Sequence, residues 1–372
     1  MLLRFKLSLF VFLCFAVLFS CKHQTEIKQI TTLKFNKVVN AQNFKLIQHP
    51  NFIELQIIDP EKGHVERSFA LIREGVDLGT KIEMEHIEVP VKGLVCLSAT
   101  QVGMLNKLKA ISFIKGIVSK KYVSNKQLLN NLSLGKVQEL QTIDQLNPER
   151  VLSTGSRVVM YDGFGTIPTN EEKLKKLGVV CIPDYDWRET DPLGKAEWIK
   201  LLGVLVGKEL LANNYFTKIS NDYSRLKKQA KQLNNHQTIL SGSLIGDLWY
   251  MPAGESFYAH MLSDAQLDYQ EKDSKGTGSV SFSLEHCLKV HKQAKLWINP
   301  GVASYTALLR LNPKYQFLDV FQHKKIYCYS HNANYFWENS AIEPHHLLSD
   351  LIALNHGEGS IKKLYFYRKL EE

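Results

Sequence analysis

The sequence predicts an α/β protein of two lobes joined by a long α-helix, with a β-hairpin ahead of the first lobe. Three observations predict it. From Pro192 to Gln232 apolar residues recur at helical spacing: Ile199, Leu202, Leu205 and Val206, then Leu211, Tyr215, Ile219, Tyr223 and Leu226. Alternating strand and helix patterns stand on both sides of that stretch, and a chain of 372 residues is long enough for two such units. Asp191 suits a helix N-cap and Pro192 the first helical position. Gly203 and Gly207 are expected to break or kink the first part, at about 1 kcal/mol per interior glycine. From Lys208 to Gln232 nothing interrupts the pattern, and a helix of that length spans roughly 37 Å. That is the reach of a strut between lobes.

Taken in order, Ile53, Leu55 and Ile57 alternate with Glu54 and Gln56, a turn follows at Asp59–Gly63, and Arg67 to Ile72 returns. Leu94 to Ser98 reads as a strand, Thr100 to Leu108 as a helix and Ala110 to Ile114 as a second strand. This βαβ unit signals a mostly parallel sheet. A helix near Gln127, a short helix at Ile143 to Leu146, a strand at Val151 to Ser153, a helix at Glu171 to Leu177 and a strand at Gly178 to Ile182 continue it. After the strut, Thr238 to Ser241, Trp249-Tyr250, Leu296 to Asn299 and Lys325 to Tyr329 read as strands. Phe257 to Ser263, Leu284 to Lys292 and Pro344 to Asn355 read as helices. The expected divisions are a leader at 1–20, a tether at 21–43, a first lobe at 44–190, the connecting helix at 191–234 and a second lobe at 235–372.

The leader sets the compartment. Arg4 and Lys6 precede an apolar run from Leu7 to Phe19 that is too short for a stable membrane span. Leu18-Phe19-Ser20-Cys21 resembles the bacterial lipobox, apart from Phe19, where a smaller residue is usual. The resemblance implies that Cys21 is acylated and becomes the mature N-terminus, an anchor of more than one acyl chain. The formal charge of +9 is spread in scattered lysines and arginines, a solvated face rather than a nucleic-acid groove. Cys96, Cys181, Cys287 and Cys328 are far apart with no CxxC, which favours buried thiols over a zinc site and leaves a disulfide open.

Enzyme templates fail in this sequence: it holds no GxGxxG, P-loop, GxSxG or HExxH. Aromatic residues instead gather at expected strand ends and loops: Tyr185 and Trp187 before the strut, Trp249, Tyr250 and Phe257 after it, then Tyr335, Phe336 and Trp337. Such rings line small-molecule sites. Trp187, Trp249 and Tyr250 are the candidate ligand contacts, with Arg188 a candidate for a carboxylate or phosphate. No catalytic residue, cofactor or metal-ligand set is expected.

Tyr185 to Glu189, Pro192 to Lys200, Trp249 to Tyr269, Ser283-Leu284-Glu285, Trp297-Ile298-Asn299 and Pro344 to Leu351 are similar in order and spacing to one family. They resemble the lipoprotein substrate-binding subunits of bacterial ABC importers, the helical-backbone class that captures iron–siderophores, haem or cobalamin. The resemblance implies two Rossmann-like lobes with the ligand between them, capture rather than catalysis, and an envelope location facing the periplasm. It also implies one acid per lobe that docks onto arginines of the inner-membrane permease. Glu285 holds the second-lobe position. Gln141 stands where the first-lobe acid is usual, with Glu139 nearby as its substitute. The alternatives are cobalamin in place of an iron complex, a free-metal-ion subunit, and an exported α/β enzyme with an unrecognised site.

Overall fold

In the computed structural model, which describes residues 37–77, 83–140, 146–163, 170–233, 235–329, 335–356 and 363–372, the expected hairpin lies at the centre of a four-stranded sheet. β2 (Ile53–Ile58) and β3 (Val65–Arg73) pair antiparallel, and β1 (Phe44–Gln48) and β4 (Glu85–Val89) extend them on either side, β4 parallel to β3. Asp59 Oδ1 accepts from the amides of Glu61 and Lys62 in the turn. Phe44, Leu46, Ile53, Leu55 and Ile57 point inward in strict alternation, as a sheet with one covered face requires.

The first lobe's sheet is wholly parallel, in the order β7-β6-β5-β8-β9. Its strands are β5 (Leu94–Cys96), β6 (Ile114–Ile117), β7 (Gln138–Glu139), β8 (Val158–Asp162) and β9 (Val180–Asp184). Its helices are α1 (Ala99–Lys107), α2 (Lys126–Ser133), α3 (Pro148–Ser153) and α4 (Glu171–Lys176). Two sequence expectations fail here. Ala110 to Ile114 contains a single 3₁₀ turn, and the strand begins only at Ile114. Val151 to Ser153 ends α3 instead of forming a strand. Asn147 Oδ1 accepts from the amides of Glu149 and Arg150 and Pro148 fills the first helical position, so the cap outweighs the β-branched valine. The helix expected from Ile143 falls outside the described residues up to Leu146.

Three helices follow: α5 (Pro192–Glu197), α6 (Ile199–Leu205) and α7 (Glu209–Ala230). Asp191 Oδ1 accepts from the Leu193 amide, as the sequence suggested. Gly207, at φ +66°, ends α6. Gly203 does not break it. A Cβ there would lie 2.6 Å from that of Ala212, so the glycine lets α6 and α7 approach closely. The uninterrupted helix is the 22 residues of α7.

The second lobe has two sheets. Its main sheet, in the order β13-β10-β15-β16-β17, is parallel except for β17. The elements are β10 (Thr238–Ser241), β11 (Ser243–Ile245), β12 (Leu248–Pro252), α8 (Phe257–Asp264), β13 (Asp268–Tyr269), β14 (Ser279–Ser283), α9 (Leu284–Val290) and β15 (Leu296–Ile298). Then come α10 (Tyr305–Leu311), α11 (Asp319–Gln322), β16 (Ile326–Tyr329), α12 (Phe336–Asn339), α13 (Pro344–His356) and β17 (Tyr367–Lys369). β11, β12 and β14 form a separate antiparallel sheet. The four described cysteines are buried and free.

Buried polar groups tie these units together. Glu197 accepts from the amides of Val39, Asn40 and Ala41, and Glu189 from those of Gln42 and Asn43 and from Trp198 Nε1. Lys200 Nζ lies 2.6 Å from Glu197. Across the lobes, Glu338 of α12 accepts from the amides of Ser124 and Asn125, and its carbonyl presses on α1. A Cβ on Gly103 would fall 1.7 Å from that oxygen. Asp184, at the end of β9, accepts from Gln101 Nε2 at 2.8 Å and from the Asp186 amide at 3.0 Å.

Burial, and then the neighbouring Asp186, push the Asp184 carboxyl up to about 8. Burial pushes Glu189 up to about 7 against the three N–H groups that favour its charged form. Both acids therefore hold a proton more tightly folded than unfolded. Their cost to folding is complete above about pH 8 and is relieved as pH falls through the folded values. Thermal melting should show the midpoint rising from about pH 8.5 to about pH 7. That window stays above the range in which His345, held down to about 3 by burial, opposes it. Asp184→Asn should raise the midpoint at the alkaline end and flatten the profile; a parent midpoint that falls across the window contradicts the assignment. Gly103→Ala should cost about 1–3 kcal/mol in urea unfolding through overpacking against Glu338. Parental stability in that variant would mean the contact yields freely.

Candidate functional site

Strand order locates the site. In the second lobe the chain leaves β10 toward β13 on one side and returns to β15 on the other, so the order reverses between β10 and β15. Ligands of open α/β sheets bind outside the carboxyl ends of strands at such a reversal. A cavity of about 400 Å³ lies there, touching Gly242 just past β10 and Asn299 just past β15. Thr100 after β5 and Trp187 after β9, from the first lobe, and Lys195 on α5, from the connecting helices, complete its wall. A larger hollow of about 850 Å³ adjoins it and shares Asn299, Tyr329 and Trp337.

Backbone constraints shape the floor. Gly242 adopts φ +86°, and a Cβ there would stand 1.9 Å from the Tyr250 carbonyl oxygen, so only glycine fits. Asn299 takes φ +62°, a region asparagine tolerates. Its amide donates to Tyr258 Oη and accepts from Tyr367 Oη, each at 3.2 Å, and the two phenols also hydrogen-bond each other. Burial raises the Tyr258 phenol to about 12. Tyr329 stacks on Phe336 at 3.9 Å with Trp337 edge-on at 5.1 Å, which gives one wall of rings.

The four residues expected to meet ligand divide. Trp187 and Tyr250 line the cavity. Trp249 does not: it is fully buried, with Trp297 at 5.2 Å and Tyr315 at 5.8 Å, and its Nε1 donates to the Ser241 carbonyl at 2.9 Å. Successive side chains of a strand point to opposite faces, so β12 turns Tyr250 to the cavity and Trp249 to the core. Arg188 lies behind the wall, with its guanidinium 5.1 Å over Trp187, Nε donating to Thr277 Oγ1 at 2.8 Å and Glu61 at 3.4 Å. Tyr185 is also displaced, donating to Glu66 at 2.8 Å.

Sequence reading passed over Lys195, Tyr258, Asn299 and Tyr329. Asn299-Pro300-Gly301 directly after a strand was the available signal for a left-handed turn at a sheet edge. Lys195 carried none, since a lysine in a helical stretch reads as solvated.

The two acids expected at the permease face are both on the surface of their elements. Glu285 in the first turn of α9 is largely exposed, with Lys314 at 4.0 Å. Glu139 ends β7 and accepts from Ser119 Oγ at 2.7 Å and the Lys120 amide at 3.0 Å, bonds that hold its carboxyl below the usual range. Cys21 and Gln141 lie outside the described residues. His291 is buried against Glu271 at 2.9 Å, while His286 stacks on Phe282, so the two histidines share no site. Among the described residues no three His, Cys, Asp or Glu side chains cluster as metal ligands.

Comparison with known proteins bears on the fold and the family. Two uncharacterized lipoproteins of Methanocaldococcus jannaschii are similar to the chain. One is 25% identical over 298 residues, 76% of this chain and 70% of its own length. The other is 24% identical over 357 residues, 91% and 88%. Among solved structures, a periplasmic heme binding protein from Pseudomonas aeruginosa superimposes with TM-score 0.56 at 14% identity, covering 72% of this chain and 93% of its own. The periplasmic vitamin B12 binding protein of Vibrio cholerae gives 0.53 at 12%, with 71% and 96% covered. A possible iron-binding protein from Staphylococcus epidermidis gives 0.53 at 14%, with 72% and 98%. These likenesses share the two-lobed α/β fold. The profile of the periplasmic binding proteins matches residues 94–328, from the start of β5 through all but the last residue of β16, and the chain belongs to that family.

Proposed function

We propose that this protein is the lipid-anchored substrate-binding subunit of an ABC importer, working outside the cytoplasm and capturing a metal chelate between its lobes. The chelate is an iron complex such as a siderophore or haem, with cobalamin the alternative. The observation that carries the reading is the cavity at the strand-order reversal, walled by Trp187 from one lobe and Tyr250, Phe257, Tyr329 and Trp337 from the other. Flat rings on opposite walls suit a flat or amphipathic ligand. Similar folds are described as binding heme, vitamin B12 or iron, which supports the class of cargo. The metal arrives inside its chelate as cargo, and the protein's task is binding and release rather than catalysis. Acylated Cys21 is the anchor, in keeping with the lipoprotein relatives. Lobes at 44–190 and 235–372 flank the cavity, and Glu285 and Glu139 face the permease.

Native mass spectrometry against a panel of ferric siderophores, haem and cobalamin tests the reading: one chelate class should bind one-to-one and quench tryptophan fluorescence. Trp187→Ala should weaken that complex by about 1–3 kcal/mol with an unchanged melting point. Trp249→Ala should instead destabilise the fold by about 3–5 kcal/mol. Parental affinity in Trp187→Ala across the panel would put the ligand elsewhere.

Docking is tested separately. Glu285→Ala should leave folding and chelate affinity intact and slow uptake by cells, and Glu285→Arg should slow it further by repelling a cationic partner. Glu139→Ala should have the smaller effect on uptake. Transport at the parental rate in the Glu285→Arg strain rejects the docking role.

A further inference from the structure

Lys195 is buried in the wall of the 400 Å³ cavity. Helix α5 delivers it there, three residues after Pro192. Its ammonium lies 4.7 Å from the centroid of Phe257, another wall residue. Its hydrogen bond among the described residues is a long one, 3.4 Å to Asp186 Oδ1. An ammonium has three donors, and a buried one that is partly satisfied draws an acceptor strongly. Asp186 is itself incompletely engaged, because its Oδ2 is buried without a hydrogen-bond partner. The pair thus holds its charges in place without using them up.

The rest of the cavity surface sharpens the point. Among its described lining residues Lys195 is the one cation, and none is a carboxylate. Aromatic, aliphatic, hydroxyl and amide groups make up the remainder. An apolar wall lowers the local dielectric, which strengthens attraction between this ammonium and any anion beside it. Arg188 is not among the lining residues; its Nε donates to Thr277 Oγ1 at 2.8 Å, and its guanidinium lies 3.4 Å from Glu61.

Resting on the reading that this cavity takes a chelate, we propose that Lys195 binds a carboxylate carried on the inner end of an otherwise flat, apolar chelate. The preferred cargo is then an acidic macrocycle or chelate, singly charged where it enters the cavity, rather than a neutral one or one whose inner face carries several anionic groups.

Paired probes that differ in one carboxylate test this: ferric protoporphyrin IX monomethyl ester against the dimethyl ester, and a cyanocobalamin monocarboxylic acid against cyanocobalamin. Affinities are read by tryptophan quenching on the full mature chain. The parent should bind the acid of at least one pair about tenfold or more tighter than its neutral partner, the scale of a charge-assisted hydrogen bond. Lys195→Met should erase that preference while leaving the neutral partner's affinity within about twofold. Lys195→Arg should keep the preference. Should Lys195→Met fail to fold because Asp186 is left alone, the double variant Lys195→Met with Asp186→Asn removes the stranded charge and gives the same readout. Equal binding of acid and neutral forms by the parent, or a preference that survives loss of Lys195, overturns the proposal and leaves the chelate reading standing. Failure of the parent to bind any of the four while another chelate of the panel binds overturns this proposal alone, and failure with every chelate of the panel overturns the chelate reading with it.

Discussion

Two indole N–H groups fix the part of the molecule on which the site depends. Trp249 Nε1 donates to the Ser241 carbonyl and Trp297 Nε1 to the Gly242 carbonyl, each at 2.9 Å. These carbonyls lie where β10 ends and the chain must turn away from its sheet, so β pairing no longer serves them. Leaving either one buried and unmatched would cost about 1–3 kcal/mol. Meeting them requires both indoles in the core, and the tilted contact of the two rings, with Tyr315 edge-on to each, holds them there. Gly242 then passes close beneath the Tyr250 carbonyl. The orientation of Tyr250 toward the cavity follows from the orientation of Trp249 away from it.

That dependence marks how far the sequence could be read. Periodicity found Thr238 to Ser241 and also β5, β9, β12, β15 and β16, because each is a short apolar run between turn residues, but it missed β7, β8, β11, β13, β14 and β17. It placed aromatic residues near the cleft, but composition alone does not say which ring of an adjacent pair faces which side. Once β12 is a strand, Trp249 and Tyr250 must part, and the larger ring goes to the core, where it buries more area and finds a carbonyl for its N–H. Val151 to Ser153 shows the reverse case, in which a local cap at Asn147 with Pro148 outweighs β propensity. Lys195 and Asn299 were illegible for a different reason. Their roles come from what the other lobe or the next strand brings near them, and no local pattern records that.

The segment between the lobes is built to resist bending. Glu189 and Glu197 are almost unexposed, yet together they gather five backbone amides of residues 39–43. A buried carboxylate is costly unless its lone pairs are met, so the arm and the helices α5 and α6 stabilise one another and neither is complete alone. The second lobe's α12 also reaches the first lobe, where Glu338 accepts from the amides of Ser124 and Asn125 just ahead of α2. The lobes are thus joined both by the connecting helices and by a direct hydrogen-bonded contact. Wide hinge opening would break that contact and leave the Glu338 carboxylate without its donors. Small adjustments of the wall rings would leave that contact intact.

Charge around the cavity is arranged in depth. Among the described lining residues the wall presents one ammonium, and Asp186 and Asp184 stand behind it, outside the lining. With burial and Asp186 holding Asp184 up to about 8, that carboxyl is mostly protonated near neutral pH. Asp186 faces Lys195 through one long contact, 3.4 Å. Were both acids ionised, the cluster would be net negative and would repel an anion entering the cavity. With one of them neutral, the nearest formal charge that a ligand meets is positive, in surroundings where water screens it poorly. The burial that raises the Asp184 carboxyl thus also lessens the negative charge standing behind Lys195.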